Sequence, residues 1–341
     1  MSVPVPDARG WRSWHLHVAS PDPQALEDLL LTAAAPTVRQ LLDEDAEHRL
    51  PPRPWFFLRY WQGGPHLRLR ISGLTERQAT WVTGSLADRT AAVCSAVPDG
   101  QRFTPEAYRA TAAPIARRGE ADGPMAIEPL RADGVHPARY EPEYRRYGGE
   151  EFMTAGEELF HASSVVALRA CRARAGHGRN LTDGVEAMAA GIGTWPGDRA
   201  ELLRAVRNSW QAWAASAGTP GAEDRATERR ATADPATEDR GTADLAAERF
   251  ERAAATQAER LRPAADALRA VLEGAPSRWS PWTDRLRAAV PVWTERHGTA
   301  RAARILGSHL HMTQNRLGVG GGREGFLAAV LLHLLAERTA V

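Results

Sequence analysis

The chain has 341 residues, 43% of them hydrophobic, which is enough for a sizeable buried core and marks it as globular. Its 43 basic and 42 acidic side chains leave a formal charge of +1, which excludes a global field attracting nucleic acid or an anionic membrane. Every basic residue counted is arginine, so Schiff-base and P-loop lysine chemistry are excluded as well.

The N-terminus, MSVPVPDARGWRSWHLHV, has no basic segment followed by an apolar run of signal-peptide length, and no stretch approaches a membrane span. A cytoplasmic protein is expected. Trp14, Leu16 and Val18 alternate with Ser13, His15 and His17, a strand signature. His15 and His17 share a strand face as a metal arm would, but no third ligand stands at a telling distance, so no metal is expected. Asp22 and Pro23 open two amphipathic helical segments, over 24–32 and 36–47.

Residues 55–71, WFFLRYWQGGPHLRLRI, read as a β-hairpin closed by Gly63, Gly64 and Pro65. Arg68 and Arg70, two apart, fall on one face of the second strand, while Leu67, Leu69 and Ile71 fill the other. Two guanidinium groups on a rigid element either lie solvated or face an anion, and the aromatic neighbouring strand favours burial. A helix over 75–97 follows, opened by Thr75 and Glu76. Residues 103–135, rich in Pro, Gly and Ala, read as irregular connections.

The turn 140–149, YEPEYRRYGG, sets Glu141, Glu143, Arg145 and Arg146 among three tyrosines, and either a solvated turn or a hydrogen-bonded, partly buried loop fits it. Long helices are expected from there, over 151–174, 200–217, 247–273, 283–296, 300–317 and 323–338. Residues 218–247 are low in complexity, with EDRAT and EDRGT as near repeats, and read as a disordered or weakly helical insertion. On the penultimate helix, SHLHMTQNRL places Ser308, His311 and Asn315 on one face and His309 and Arg316 on another. A histidine there could move a proton near neutral pH or simply pack. The run GVGGG at 318–322 reads as helix punctuation. Cys94 and Cys171 lie in apolar helical patterns without metal-ligand spacing and are expected as buried free thiols.

Together the hairpin, YEPEYRRYGGEEFMTAGEELFHASS and SHLHMTQNRLG resemble the thiopeptide-type bacteriocin biosynthesis domain. That family includes the glutamate-elimination domain of class I lantibiotic dehydratases and the pyridine synthases of thiopeptide pathways. The motifs stand in family order, and the likeness covers nearly the whole chain outside the insertion. The expected fold is α+β, a single domain over 1–341: an antiparallel sheet domain with packed helices over 1–135, then a mostly helical half over 136–341.

The resemblance implies an enzyme that removes glutamate from glutamylated Ser or Thr of a precursor peptide, leaving dehydroalanine or dehydrobutyrine. Carried over by motif, Arg68, Arg70 and Arg146 bind the glutamyl group and stabilise negative charge, His311 transfers the proton, and Glu143 orients an arginine or the histidine. Asn315 and Arg316 are expected in support. The implied partners are a ribosomally made precursor peptide and a separate tRNA-dependent glutamylating protein, with no cofactor, no direct nucleic-acid contact and no membrane span. Two alternatives stand beside this. One is a pyridine synthase joining two dehydroalanines by a formal [4+2] aza-cycloaddition, for which Trp55, Trp61, Trp279 and Trp282 could line a peptide groove or simply fill the core. The other is a non-catalytic precursor-binding subunit, for which Arg68→Ala and His311→Ala would leave pathway output unchanged.

Overall fold

A computed structural model describes residues 2–119, 125–174, 181–215 and 235–336. Four strands, β1 (Trp11–His17), β2 (Trp55–Tyr60), β3 (His66–Ser72) and β4 (Gly134–Ala138), form one sheet in the order β2-β3-β1-β4. All its pairings are antiparallel, and the predicted hairpin is β2 with β3. The register places Ser13, His15 and His17 opposite Arg70, Arg68 and His66, and Phe56 and Leu58 opposite Arg70 and Arg68. Since side chains alternate across a strand, the sheet has two unlike faces.

One face is apolar: Trp14, Leu16, Phe57, Leu67, Leu69 and Ile71 are all buried. Helix α3 (Glu76–Ala96) covers it, and Thr83 Oγ1 accepts the Trp14 indole N–H at 3.0 Å. This helix starts where the sequence signals it. Thr75 Oγ1 accepts from the Gln78 backbone N–H and Gln78 Oε1 from the Thr75 backbone N–H, both at 3.2 Å, a reciprocal cap for two otherwise unpaired donors. Before the hairpin, α1 (Pro23–Asp28) and α2 (Ala35–Glu47) are joined by a π-helical turn over Leu29–Ala34.

The other face carries the arginines. Strand β2 lies at the sheet edge, and its outer backbone is sealed by α5 (Met153–Arg174) and α11 (Thr299–Arg316). Ser164 Oγ accepts from the Phe57 N–H at 3.3 Å, and Asn315 grips Arg59 by both backbone groups, accepting from N–H and donating to C=O at 2.9 Å each. An edge strand with its polar groups so paired is aromatic on both sides because both sides are covered. Asn315→Ala is expected to cost about 1–3 kcal/mol by stripping both partners from Arg59, measured as a lower urea midpoint at unchanged m-value.

Two elements depart from the expected irregular stretch 103–135: α4 (Pro105–Arg118) and the edge strand β4. Both contain proline, Pro105 and Pro114 in the helix and Pro137 in the strand, where the sequence reads as broken. Pro105 opens the helix, a position with no intrahelical N–H partner to lose. Pro137 sits on an outer strand, where a missing donor is tolerated.

The packing divides the chain into two compact units, Met1–Ala113 with Ala126–Asn180 and Pro281–Gly318, and Pro114–Met125 with Leu181–Ser280 and Val319–Val341. The sheet runs past residue 135, since β4 spans Gly134–Ala138. Helix α10 (Ser280–His297) falls mainly in the first unit, where Trp282 and Trp293 are buried. The second unit contains α6 (Leu181–Ile192), α7 (Arg199–Ala215), α8 (Pro235–Leu261), α9 (Ala265–Leu272) and α12 (Gly321–Ala336). Gly325 lets α12 approach α7 closely, for a Cβ there would lie 3.1 Å from Trp210 Cβ. Of the low-complexity stretch 218–247, residues 218–234 lie outside the described residues, and 235–247 belong to α8. Gly318, with φ +74°, ends α11 as the glycine run predicts. Trp55, Trp279 and Trp282 are core residues, at most 4% exposed. Cys94 and Cys171 are buried free thiols, and burial pushes both up, Cys94 to about 11.

Candidate active site

The turn 140–149 is ordered and tied to itself. The Glu143 carbonyl accepts from the Arg146 N–H at 2.9 Å, and the Tyr144 carbonyl from the Gly149 N–H at 2.8 Å. Gly148 and Gly149 have φ of +97° and +124°, which side-chain-bearing residues rarely adopt. A Cβ on Gly148 would also stand 3.1 Å from Ile305 Cδ1. The glycines thus press the turn against α11 and aim Tyr140 and Tyr147 inward, where both are buried.

Between this turn, the arginine face of the sheet, α5 and α11 lies a narrow cleft of about 20 Å³. Its apolar wall is Phe56, Leu58, Met153, Phe160 and Met312; its polar groups are Arg70, Arg316, Glu141, Glu143, Tyr140 and Tyr147. As it stands this is room for about one water, so a carboxylate enters only as the lining side chains part. All these residues belong to the first unit.

Both cleft arginines are buried, Arg70 at 8% exposure and Arg316 at 1%. Arg70 rests its guanidinium on the Tyr140 ring, 4.4 Å from the centroid, and its Nε has no hydrogen-bond partner. Arg316 donates from Nε to Ser164 Oγ at 3.0 Å and from Nη1 to Ser163 Oγ at 3.4 Å, while Nη2 has no partner. Among the described residues neither has a carboxylate within ion-pair distance. Burial pulls Arg70 down to about 10, with Arg68 adding repulsion, and pulls Arg316 down to about 9, with Arg70 adding repulsion. Both remain charged at neutral pH. Two like charges held out of water with no carboxylate in ion-pair range, Glu143 acting on Arg70 only from farther off, form a site that an anion would neutralise.

The phenols complement them. Burial pushes Tyr140 well above the usual phenol range, helped by the Glu157 carboxylate, and pushes Tyr147 up to about 12. They are hydrogen-bond donors at neutral pH, not phenolates. Glu157, itself buried, accepts the Trp11 indole N–H at 3.1 Å and pairs with Arg9 at 2.6 Å. This places a fixed carboxylate behind Tyr140.

The structure separates the five residues carried over by motif. Arg70 and Glu143 line the cleft; Arg68, Arg146 and His311 do not. Arg146 is paired with Glu143 at 2.9 Å. Arg68 lies one step further along β3, 3.4 Å over the Tyr60 ring, and its Nε donates to His66 Nε2 at 3.2 Å. His311 is half-buried, next to the lining residue Met312. Of the two expected supporting residues, Asn315 holds the edge of β2, whereas Arg316 is a wall of the cleft. His309, on the Arg316 side of α11, is stacked on Trp293 with centroids 5.3 Å apart and planes at 5°, and burial drives it down to about 3. It is a packing residue under Tyr147.

Sequence reading left three cleft groups without a role, Tyr140, Tyr147 and Glu141, although all stand in the turn it singled out. It also missed His66 as a companion of His15 and His17. The three ring systems lie together because β1 pairs with β3, a non-local fact, but the two-residue spacing of His66, Arg68 and Arg70 was visible.

Residues 11–335 match the lantibiotic biosynthesis dehydratase C-terminal family, and the chain belongs to it. The family takes its description from lantibiotic biosynthesis. Three solved structures share the fold. TbtD, the pyridine synthase from thiomuracin biosynthesis, is 19% identical with a TM-score of 0.66, over 96% of this chain and 98% of that one. The tRNA-dependent lantibiotic dehydratase MibB from Microbispora sp. 107891 is 21% identical with a TM-score of 0.51, over 99% of this chain and 29% of that one. TsrL is 18% identical with a TM-score of 0.55, over 97% and 95%. No curated protein matches the sequence. No described helix is long and apolar enough to cross a membrane.

Proposed function

We propose that this protein eliminates glutamate from O-glutamylated serine or threonine of a ribosomally made precursor peptide, after a separate protein has attached the glutamyl group. The observation that carries the reading is the pair of buried arginines, Arg70 and Arg316, facing one small cleft with no acid paired to either. In the reaction a base takes the α proton, its electrons form the Cα–Cβ double bond, and the Cβ–O bond breaks to release glutamate. Negative charge passes through the peptide carbonyl as an enolate and ends on the departing carboxylate.

Arg70 and Arg316 bind the free carboxylate of the glutamyl group, and Glu141 and Glu143 complement its ammonium. The Tyr147 phenol, protonated throughout, donates to the enolate oxygen, while Tyr140, whose proton goes to Glu157, backs the Arg70 guanidinium with its ring. Arg146, held by Glu143, and Arg68 add positive potential. Proton transfer falls to His311 because His309 is enclosed in aromatic packing.

A second reading, ring formation from two dehydroalanines, draws support from the likeness in fold to the pyridine synthase TbtD over 96% of this chain. The two are separated by offering the purified protein an O-glutamyl-seryl peptide and a bis-dehydroalanine peptide, with masses followed over time. Loss of glutamate from the first is expected; leader release with a new pyridine chromophore from the second would replace elimination by cycloaddition. Binding of both with turnover of neither would favour a presenting subunit.

A further inference from the structure

On the arginine face of the sheet, beyond the cleft, three histidines from two strands converge. His17 stands opposite His66 in the β1–β3 register, and His15 is two residues away on β1. Their potential ligand nitrogens all lie within 4.8 Å of one another. The His17 and His66 rings are 4.1 Å apart between centroids, and those of His15 and His66 4.8 Å. His66 Nδ1 sits 2.8 Å from the Gly64 carbonyl, which fixes the proton there and leaves Nε2 as the lone-pair nitrogen. His17 is 1% exposed, and neither ring nitrogen meets a partner with hydrogen-bond geometry, although the nearby Gly63 carbonyl favours its protonated form somewhat. A buried imidazole without a partner, beside two others on rigid strands, calls for a ligand.

We propose that His15, His17 and His66 form a binding site for a divalent ion of the zinc class. An all-imidazole set among arginines is wrong for magnesium or calcium, which take oxygen ligands, and right for zinc, nickel or copper. Three protein ligands leave a fourth position open, and the surrounding arginines favour an anion there, hydroxide or a carboxylate.

Loading turns the stacked rings edge-on and draws their nitrogens to about 3.4 Å, as metal–nitrogen bonds of about 2.1 Å require. It also takes His66 Nε2 away from Arg68 Nε, so metal binding and the Arg68–His66 hydrogen bond exclude each other. Arg68 is thereby coupled to the occupancy of the site. The site stands on the sheet register alone and does not depend on the elimination reading.

Titration of tag-free full-length protein with Co²⁺ tests it. One equivalent producing the intense visible bands of a tetrahedral ion, displaced by Zn²⁺, is expected. His15→Gln and His17→Gln should each weaken binding at least about tenfold, with the exposed His48→Ala unchanged. Arg68→Gln, which removes the competitor, should tighten it by a similar factor, a direction that damage to the fold would not give. Absence of a saturable band in the wild type, or equal affinity in the histidine variants and wild type, overturns the proposal.

Discussion

Arg70→Met will lower kcat/KM for release of glutamate from an O-glutamyl-seryl peptide by about 10²–10³-fold, and will make the protein more stable. The two effects have one cause. In the free protein Arg70 is buried, lacks an acid partner and is repelled by Arg316 and Arg68, so its charge is held at the expense of the fold. Methionine keeps the unbranched bulk against Phe56 and Tyr140 and removes the desolvated charge, a change that commonly gains about 1–4 kcal/mol. Loss of the stacking on Tyr140 offsets about 1 kcal/mol of that. With substrate bound the balance reverses, because the anion that repays the burial no longer finds its partner. Turnover by mass spectrometry and urea denaturation of the same variant check both halves. Activity retained within tenfold would remove Arg70 from the site.

The second large effect concerns acid. His309 titrates near 6.5 when unfolded but is driven down to about 3 in the fold, primarily by burial and then by Arg316 and Arg146. Below the unfolded value the unfolded chain binds a proton that the native state refuses. Stability is therefore full above about pH 6.5 and falls by about 1.4 kcal/mol per pH unit as the pH drops toward 3. By pH 4.5 this one ring removes about 3 kcal/mol. His309→Phe keeps an aromatic ring on Trp293 and cannot titrate, so its unfolding free energy should fall less steeply between pH 6 and 4 by about that slope, whatever its offset at pH 7. Urea midpoints at four pH values measure it, and parallel curves for variant and wild type would refute the assignment.

How far these features were legible in the sequence depends on the distance over which each is determined. Period-two alternation gave β1 and β3, the glycine turn gave β2 as the hairpin partner, and Thr75 with Glu76 marked the start of α3, because strand faces, turns and caps are local facts. Helix α4 and β4 escaped because Pro105, Pro114 and Pro137 read as breaks, although a helix start and an outer strand both tolerate proline. In the site, the two-residue spacing placed Arg68 and Arg70 on one face, as found. It could not show that β3 runs out of the cleft between them, so that one faces Tyr140 and the other Tyr60. Arg316 was grouped correctly with His309 by helical spacing, but its burial depends on Ser163 and Ser164 of α5, some 150 residues away. The company of His66 with His15 and His17 required the register of two strands that are not neighbours in sequence.

The compact unit that contains the cleft lets the chain depart at Asn180 and takes it back at Pro281. The entropy of closing such an excursion grows only with the logarithm of its length, so doubling it costs about 0.6 kcal/mol even if it were wholly flexible. Insertions and losses among the repeats at 218–247 are thus nearly invisible to the geometry of Arg70 and Arg316.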